Sequence, residues 1–177
     1  MTKTRKNKKA RGGHYHSDRS PIQHHHLLLR METMSCPTAD DKAEASALIT
    51  RILRDIKMNL LGEPRVYYVT VPKYNEGLTA LAPIQTSHIA FHFWKNPDRE
   101  ILKNADSKCL LQFDLYTCGE LSLKNIQHIL HHLTHYRPTH VNASLLNRNY
   151  SLTLERQLLW DSSSQPWAEW VDRIPHM

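Results

Sequence analysis

Two short apolar runs carry the side chains in this sequence best suited to chemistry. The first, TSHIAFH, places a serine at position 87 and ends in His92; the second, DLYTCG, carries Cys118 just before Gly119. A serine hydroxyl is a poor nucleophile unless its backbone is strained or a base lies near it. A thiol can hold or release a proton near neutral pH when its surroundings tune it, and histidine titrates in the same range. A nucleophile, a base and an acid thus sit in two segments that both read as strands.

Taken together, the two runs resemble the S-adenosylmethionine decarboxylases of the short prokaryotic type. In that family Ser-His-x-x-x-His is followed by an aspartate, two apolar residues and Thr-Cys-Gly, and the likeness covers roughly residues 74–136. It implies a chain that cleaves itself between Thr86 and Ser87. Ser87 Oγ would attack the Thr86 carbonyl to give an ester; elimination and hydrolysis would leave a pyruvoyl group at residue 87 and two chains, 1–86 and 87–177. The ketone would form a Schiff base with the substrate amine and accept the electron pair left when CO₂ departs. By the same resemblance Cys118 is the proton donor to the substrate carbon, and His92 is the processing histidine. Thr79 stands where the family has a second processing hydroxyl. Tyr74 lies close to the position of a ring that stacks on the substrate adenine. Gly77 and Gly119 suggest tight backbone positions beside the two motifs.

Three departures accompany the likeness. Thr86 stands where the family has glutamate, the Pro-Glu that follows the second histidine is missing apart from a displaced Pro97 and Asp98, and 25 residues separate His92 from Cys118. Most of that spacing is the polar run WKNPDREILKNADSK, read as an extended hairpin loop. The resemblance further implies homodimers in which two sandwiches face each other sheet to sheet as a four-layer αββα unit, each site being built from both chains. The activity so implied is decarboxylation of S-adenosylmethionine to supply the aminopropyl donor for spermidine. One alternative keeps the pyruvoyl chemistry for another amino acid, ornithine or arginine. A second is an unprocessed paralogue whose basic arm binds nucleic acid.

The elements that must position these residues follow from periodicity. A first strand is expected over residues 27–30, then a helix over 38–60 with Thr38 as N-cap, Asp40 and Asp41 in its first turn, and Gly62 and Pro64 after its end. RVYYVTV is β-branched, aromatic and apolar on both faces, as a central strand would be. LTALAPI, SHIAFHFW and CLLQFDLY follow as strands, with a ladder break before Ser87 because Pro83 lacks an N–H. A second amphipathic helix is expected over 121–136, one or two strands within VNASLLNRNYSLTLERQLLW, and a short closing helix in DSSSQPWAEW. This order predicts an α+β two-layer sandwich, an antiparallel sheet with helices on one face. Doubly apolar strands fit a second face buried in a dimer. Because strand residues alternate faces, Ser87 and His92, five apart, share a site only if a kink or bulge lies between them.

Composition bounds the rest. The 177 residues suffice for one core. Of 23 basic and 17 acidic residues, seven and one fall in residues 1–26, which leaves sixteen of each in 27–177. The expectation is a basic, disordered arm over 1–26, able to attract nucleic acid, and a neutral domain over 27–177. Three cysteines with no CxxC pair, and no apolar run long enough for a signal peptide or span, fit a reduced, soluble, cytoplasmic protein. His128, His131, His132 and His135 share one helix face. Without an acid or cysteine to complete a shell, that face is expected to be solvated or an interface rather than a metal site.

Overall fold

The computed structural model describes residues 23–149 and 151–177. All but the last four residues of the expected arm lie outside them. The fold starts inside that arm, because His25 and His26 already belong to the first strand, β1, His25–Thr33. Six more strands follow: β2 Arg65–Val69, β3 Gly77–Ile84, β4 Ser87–Lys95, β5 Cys109–Thr117, β6 Pro138–Asn147 and β7 Thr153–Asp161. They form one antiparallel sheet in the order β2-β3-β4-β5-β1-β6-β7. Three helices, α1 Lys42–Asp55, α2 Leu123–Leu133 and α3 Trp167–Arg173, complete the expected α+β sandwich.

Register makes the core. Leu29 and Phe91 both pair with Phe113, Met31 and Phe93 with Leu111, and Leu27 and Ile89 with Leu115. Every second side chain of β1, β4 and β5 therefore enters one buried layer, joined by Leu48, Ile49 and Ile52 of α1 and by Ile126, Ile129 and Leu133 of α2. The alternate positions, His26, Leu28, His88, Ala90, His92, Gln112 and Asp114 among them, lie on the opposite, open face. That face is largely polar, so these strands alternate rather than being apolar on both sides.

Several expectations are corrected by tertiary context. β2 is an edge strand, with Tyr67 56% exposed; β-branched and aromatic content signals a strand but not its place in the sheet. The first helix is capped as expected by a box between Thr38 and Asp41, but α1 ends near Ile56. Lys57 takes φ 59° and the Met58 N–H closes back on Leu53 O at 2.8 Å, a left-handed stop that needs no glycine. β3 runs through Pro83 unbroken. The Pro83 carbonyl accepts from Leu61 N–H at 3.1 Å, so its backbone polar side faces away from β4, and the missing N–H removes no bond of that ladder. Gly77 is a true close approach: a Cβ there would lie 1.7 Å from the Phe93 carbonyl oxygen.

The cysteines are not all reduced thiols. Cys36 and Cys109 form a disulfide with Cα atoms 5.5 Å apart, brought together because Thr33 pairs with Cys109 at the end of β1. Their 73-residue separation hides this proximity in the sequence. Cys118 remains free. Among the described residues no helix is long and apolar enough to cross a membrane.

The long connection between β4 and β5 is anchored to the sheet by Glu32, whose side chain is fully buried. Its carboxylate accepts from Arg30 Nη1 at 2.7 Å, from the N–H groups of Lys103 and Asn104 at 2.8–3.0 Å, and from Ser107 Oγ at 3.0 Å. Burial alone would raise the Glu32 pKa, but these donors together hold it below the usual glutamate value. Its contribution to stability is therefore complete above the ordinary glutamate pKa and is lost as pH falls through the lowered folded value. Glu32→Gln, which turns an acceptor-only carboxylate into an amide facing four donors, is expected to cost about 3 kcal/mol. Urea unfolding of the two proteins at neutral and acid pH checks this: the difference should shrink on acidification.

Candidate active site

β3 and β4 are joined by a two-residue turn. Ile84 and Ser87 are paired, leaving only Gln85 and Thr86 between them. Tight hairpins of this length demand unusual backbone angles, and here Ser87 takes φ 145°. A non-glycine residue held in such a region stores about 1–3 kcal/mol of strain. The Thr86–Ser87 peptide, where cleavage is expected, is thus the strained element of the turn.

The second motif meets it directly. Ser87 pairs with Thr117 across β4 and β5, and the next N–H along β5, that of Cys118, donates to the Thr86 carbonyl oxygen at 2.9 Å. Gly119 N–H donates to Thr117 Oγ1 at 2.9 Å. A Cβ on Gly119 would sit 3.3 Å from that hydroxyl and 3.5 Å from Thr86 Cγ2, so the position is tight without being closed to a side chain. Ser87, Thr86, Cys118 and Gly119 therefore gather at one end of the sheet. Thr86 Oγ1 is buried there without a partner, where the resemblance placed a carboxylate. Thr86 and Gly119 border a polar hollow of about 500 Å³, closed by Asn59 and Asn125.

The other expected site residues lie elsewhere. Thr79 and His92 are cross-strand partners, and the threonine hydroxyl is hydrogen-bonded to His92 Nδ1. The imidazole packs on Trp94, ring centroids 3.9 Å apart, and its Nε2 is buried without a partner. Burial lowers the His92 pKa and favours the neutral ring. The pairing of β4 with both neighbours runs unbroken from Ser87 to His92. No bulge lies between them; the one irregularity is at Ser87 itself, at φ 145°, whose hydroxyl lies 3.2 Å from His88 Nδ1 on the open face, and at the rise of an antiparallel strand the two residues are roughly 17 Å apart. Tyr74, in the turn Lys73–Asn75, is 83% exposed at the Trp94 end of the sheet. One chain thus holds two candidate half-sites, Ser87 with Cys118 and Thr79 with His92. The second half-site opens on a depression of about 470 Å³ on the open face, bordered by Arg30, Ala90, Gln112, Asp114 and Asn142.

Residues not singled out by sequence surround Ser87. His88 Nδ1 lies 3.2 Å from Ser87 Oγ, and Asp114 bridges His88 and His26. Both His88 and Asp114 stand inside the two motif runs, but only the register of β1, β4 and β5 shows that they touch. Two of the four histidines on that face tie α2 to its neighbours: His132 Nε2 meets Asp55 of α1 at 2.7 Å and His131 Nε2 lies 3.4 Å from Asp172 of α3. His135, just past α2, bonds locally, its Nδ1 3.0 Å from the His132 carbonyl. Among the described residues no group of three or more His, Cys, Asp or Glu is placed to hold a metal ion.

A search of the curated proteins finds no match to the chain. The family model for S-adenosylmethionine decarboxylase matches residues 25–149, a span that runs from the first residue of β1 past the end of β6 and includes both half-sites. The chain therefore belongs to the S-adenosylmethionine decarboxylase family.

Proposed function

We propose that the chain cleaves itself between Thr86 and Ser87, and that residue 87, as a pyruvoyl group, serves the decarboxylation of S-adenosylmethionine for spermidine synthesis. The observation that supports this reading is the Thr86 carbonyl held by the Cys118 N–H at 2.9 Å, beside a serine at φ 145°. When Ser87 Oγ adds to that carbonyl, its oxygen becomes negative, and an N–H already aimed at it stabilises the charge without reorganisation. Breaking the C–N bond relaxes the backbone strain at residue 87. A pyruvoyl group there supplies an electrophilic carbonyl that condenses with an amine and takes up the electron pair released with CO₂. The Cys118 side chain, free and next to the same peptide, delivers the proton to the substrate carbon.

The separation of the half-sites favours a dimer. Two copies packed open face to open face about a two-fold axis set the Thr79–His92 pair of each against Ser87 and Cys118 of the other. Leu28, Leu81 and Leu159 offer exposed apolar surface for such a contact. A neutral His92, oriented by Thr79, is then the base for the elimination that follows ester formation. Ser87→Ala and His92→Ala chains should each stay uncleaved alone. Co-expressed, the His92→Ala chains should be cut, because their partners supply the histidine. Mass spectrometry of the mixture checks this, and an uncut mixture would place the pair outside processing.

The substrate is tested by incubating the protein with carboxyl-labelled S-adenosylmethionine, ornithine and arginine in turn. Label should leave as CO₂ from S-adenosylmethionine, and cyanoborohydride should fix that substrate or its decarboxylated product as a reduced Schiff base, with the mass of the amine less one oxygen, on the 87–177 chain only. Release from ornithine or arginine instead would reassign the substrate, and no release or adduct from any of them would remove the decarboxylase reading.

A further inference from the structure

The hydrogen bonds around Ser87 have one consistent direction. Arg148 Nη1 lies 3.2 Å from His26 Nδ1; a guanidinium only donates, so that nitrogen must accept, and His26 carries its proton on Nε2. His26 Nε2–H then donates to Asp114 Oδ2 at 2.8 Å. The other carboxylate oxygen, Oδ1, accepts from His88 Nε2 at 3.1 Å. In the neutral imidazole this leaves His88 Nδ1 as an acceptor, and the Ser87 hydroxyl lies 3.2 Å from it. Arg148 is itself held, its N–H donating to the His24 carbonyl at 2.7 Å and its guanidinium lying 4.3 Å over the Tyr116 ring.

The sheet builds this line. His88 on β4 and His26 on β1 both pair with Tyr116 of β5, and Asp114 is the next residue of β5 on the same face, within diagonal reach of both. Four residues from three adjacent strands and the end of β6 thus converge on one hydroxyl. His92, by contrast, is five residues along β4 and has its Nδ1 engaged by Thr79.

We propose that His88 is the base that takes the Ser87 hydroxyl proton within the same chain during self-cleavage, with Asp114, His26 and Arg148 as positioning residues. This rests on the self-cleavage proposed above and assigns its first step. As the Oγ–C bond to Thr86 forms, the Oγ proton passes to His88 Nδ1 and the carbonyl electron pair moves onto the oxygen facing Cys118 N–H. As the C–N bond breaks, its electron pair goes to Ser87 nitrogen, which takes the same proton back from His88. The step consumes no external proton or reactant and ends at the ester. The carboxylate lacking at Thr86 is thereby supplied from β5, acting through an imidazole.

The test is the time course of cleavage of freshly purified precursor, read by intact mass, for the wild type, Ser87→Ala, His88→Ala, His88→Gln, Asp114→Asn and the double variant His88→Ala/Asp114→Asn. His88→Ala and His88→Gln should both slow cleavage by about a hundredfold or more. Half of the His88 side chain is exposed, so added imidazole can enter the space vacated in His88→Ala and should recover part of the rate. Asp114→Asn should slow the wild type but leave His88→Ala unchanged, since it acts only through that ring. Cleavage of folded His88→Ala within about threefold of wild type, while Ser87→Ala stays intact, would overturn the assignment with self-cleavage still standing. Equal slowing of wild type and His88→Ala by Asp114→Asn, or no imidazole rescue, would also overturn it. An uncut wild type would instead fail at the underlying reading and take this step with it.

Discussion

Weighed intact under denaturing conditions, the wild-type protein is expected to give two polypeptides, residues 1–86 and 87–177, and Ser87→Ala only one. The effect should be complete, because the β-elimination needs an oxygen on the Cβ of residue 87. Without Oγ that residue can neither form the ester nor shed a leaving group, whatever other nucleophile, the free Cys118 thiol included, stands near the peptide. The first residue of the 87–177 chain should lack a free amine, since its nitrogen is lost on hydrolysis, and should react with a hydrazide. Ser87→Ala retains the hairpin and its register, so its fold should be unchanged by circular dichroism. Removing Oγ therefore isolates the chemistry from the architecture. A single uncut chain from both proteins would mean that the turn keeps its strain without using it, and the unprocessed paralogue would become the better description.

The second large effect should come from Cys118→Ala, and it should fall on the other half of the reaction. Its N–H remains in place, so the Thr86 carbonyl keeps its donor and self-cleavage should proceed. Its thiol is gone, so the substrate carbon loses its proton donor. Positioned acids of this kind contribute about 10²–10⁴-fold, and kcat for CO₂ release or correct product formation should fall within that range with KM little changed. Cys118→Ser should fall between the two. Failure of Cys118→Ala to cleave would move the thiol into processing. Wild-type turnover in a cleaved Cys118→Ala would remove it from the chemistry altogether.

Much of this site is local and therefore legible in the chain. Ser87, His88 and His92 lie within six residues, Asp114, Cys118 and Gly119 within another six, and their order alone carries the family likeness later matched over residues 25–149. The helices were legible for the same reason. Thr38 caps its own first turn through a side chain three residues away, and apolar spacing marks which face of each helix is buried.

What only the tertiary structure decided depends on partners distant in sequence. Edge or centre for β2, the Cys36–Cys109 bond and the burial of Glu32 beneath the 103–107 segment all follow from strand order. Strand propensity and residue spacing do not encode that order. The unbroken register of β4 separates Ser87 from His92, although five residues look close on paper, because an extended chain advances more than 3 Å with each residue. The same register brings His26 and Arg148, remote from either motif, into line with Asp114 and His88. The sequence by itself determined which residues are candidates for the chemistry, since that depends on side-chain type and near neighbours. The fold decided which of them can touch, since that depends on pairings between strands far apart in the chain.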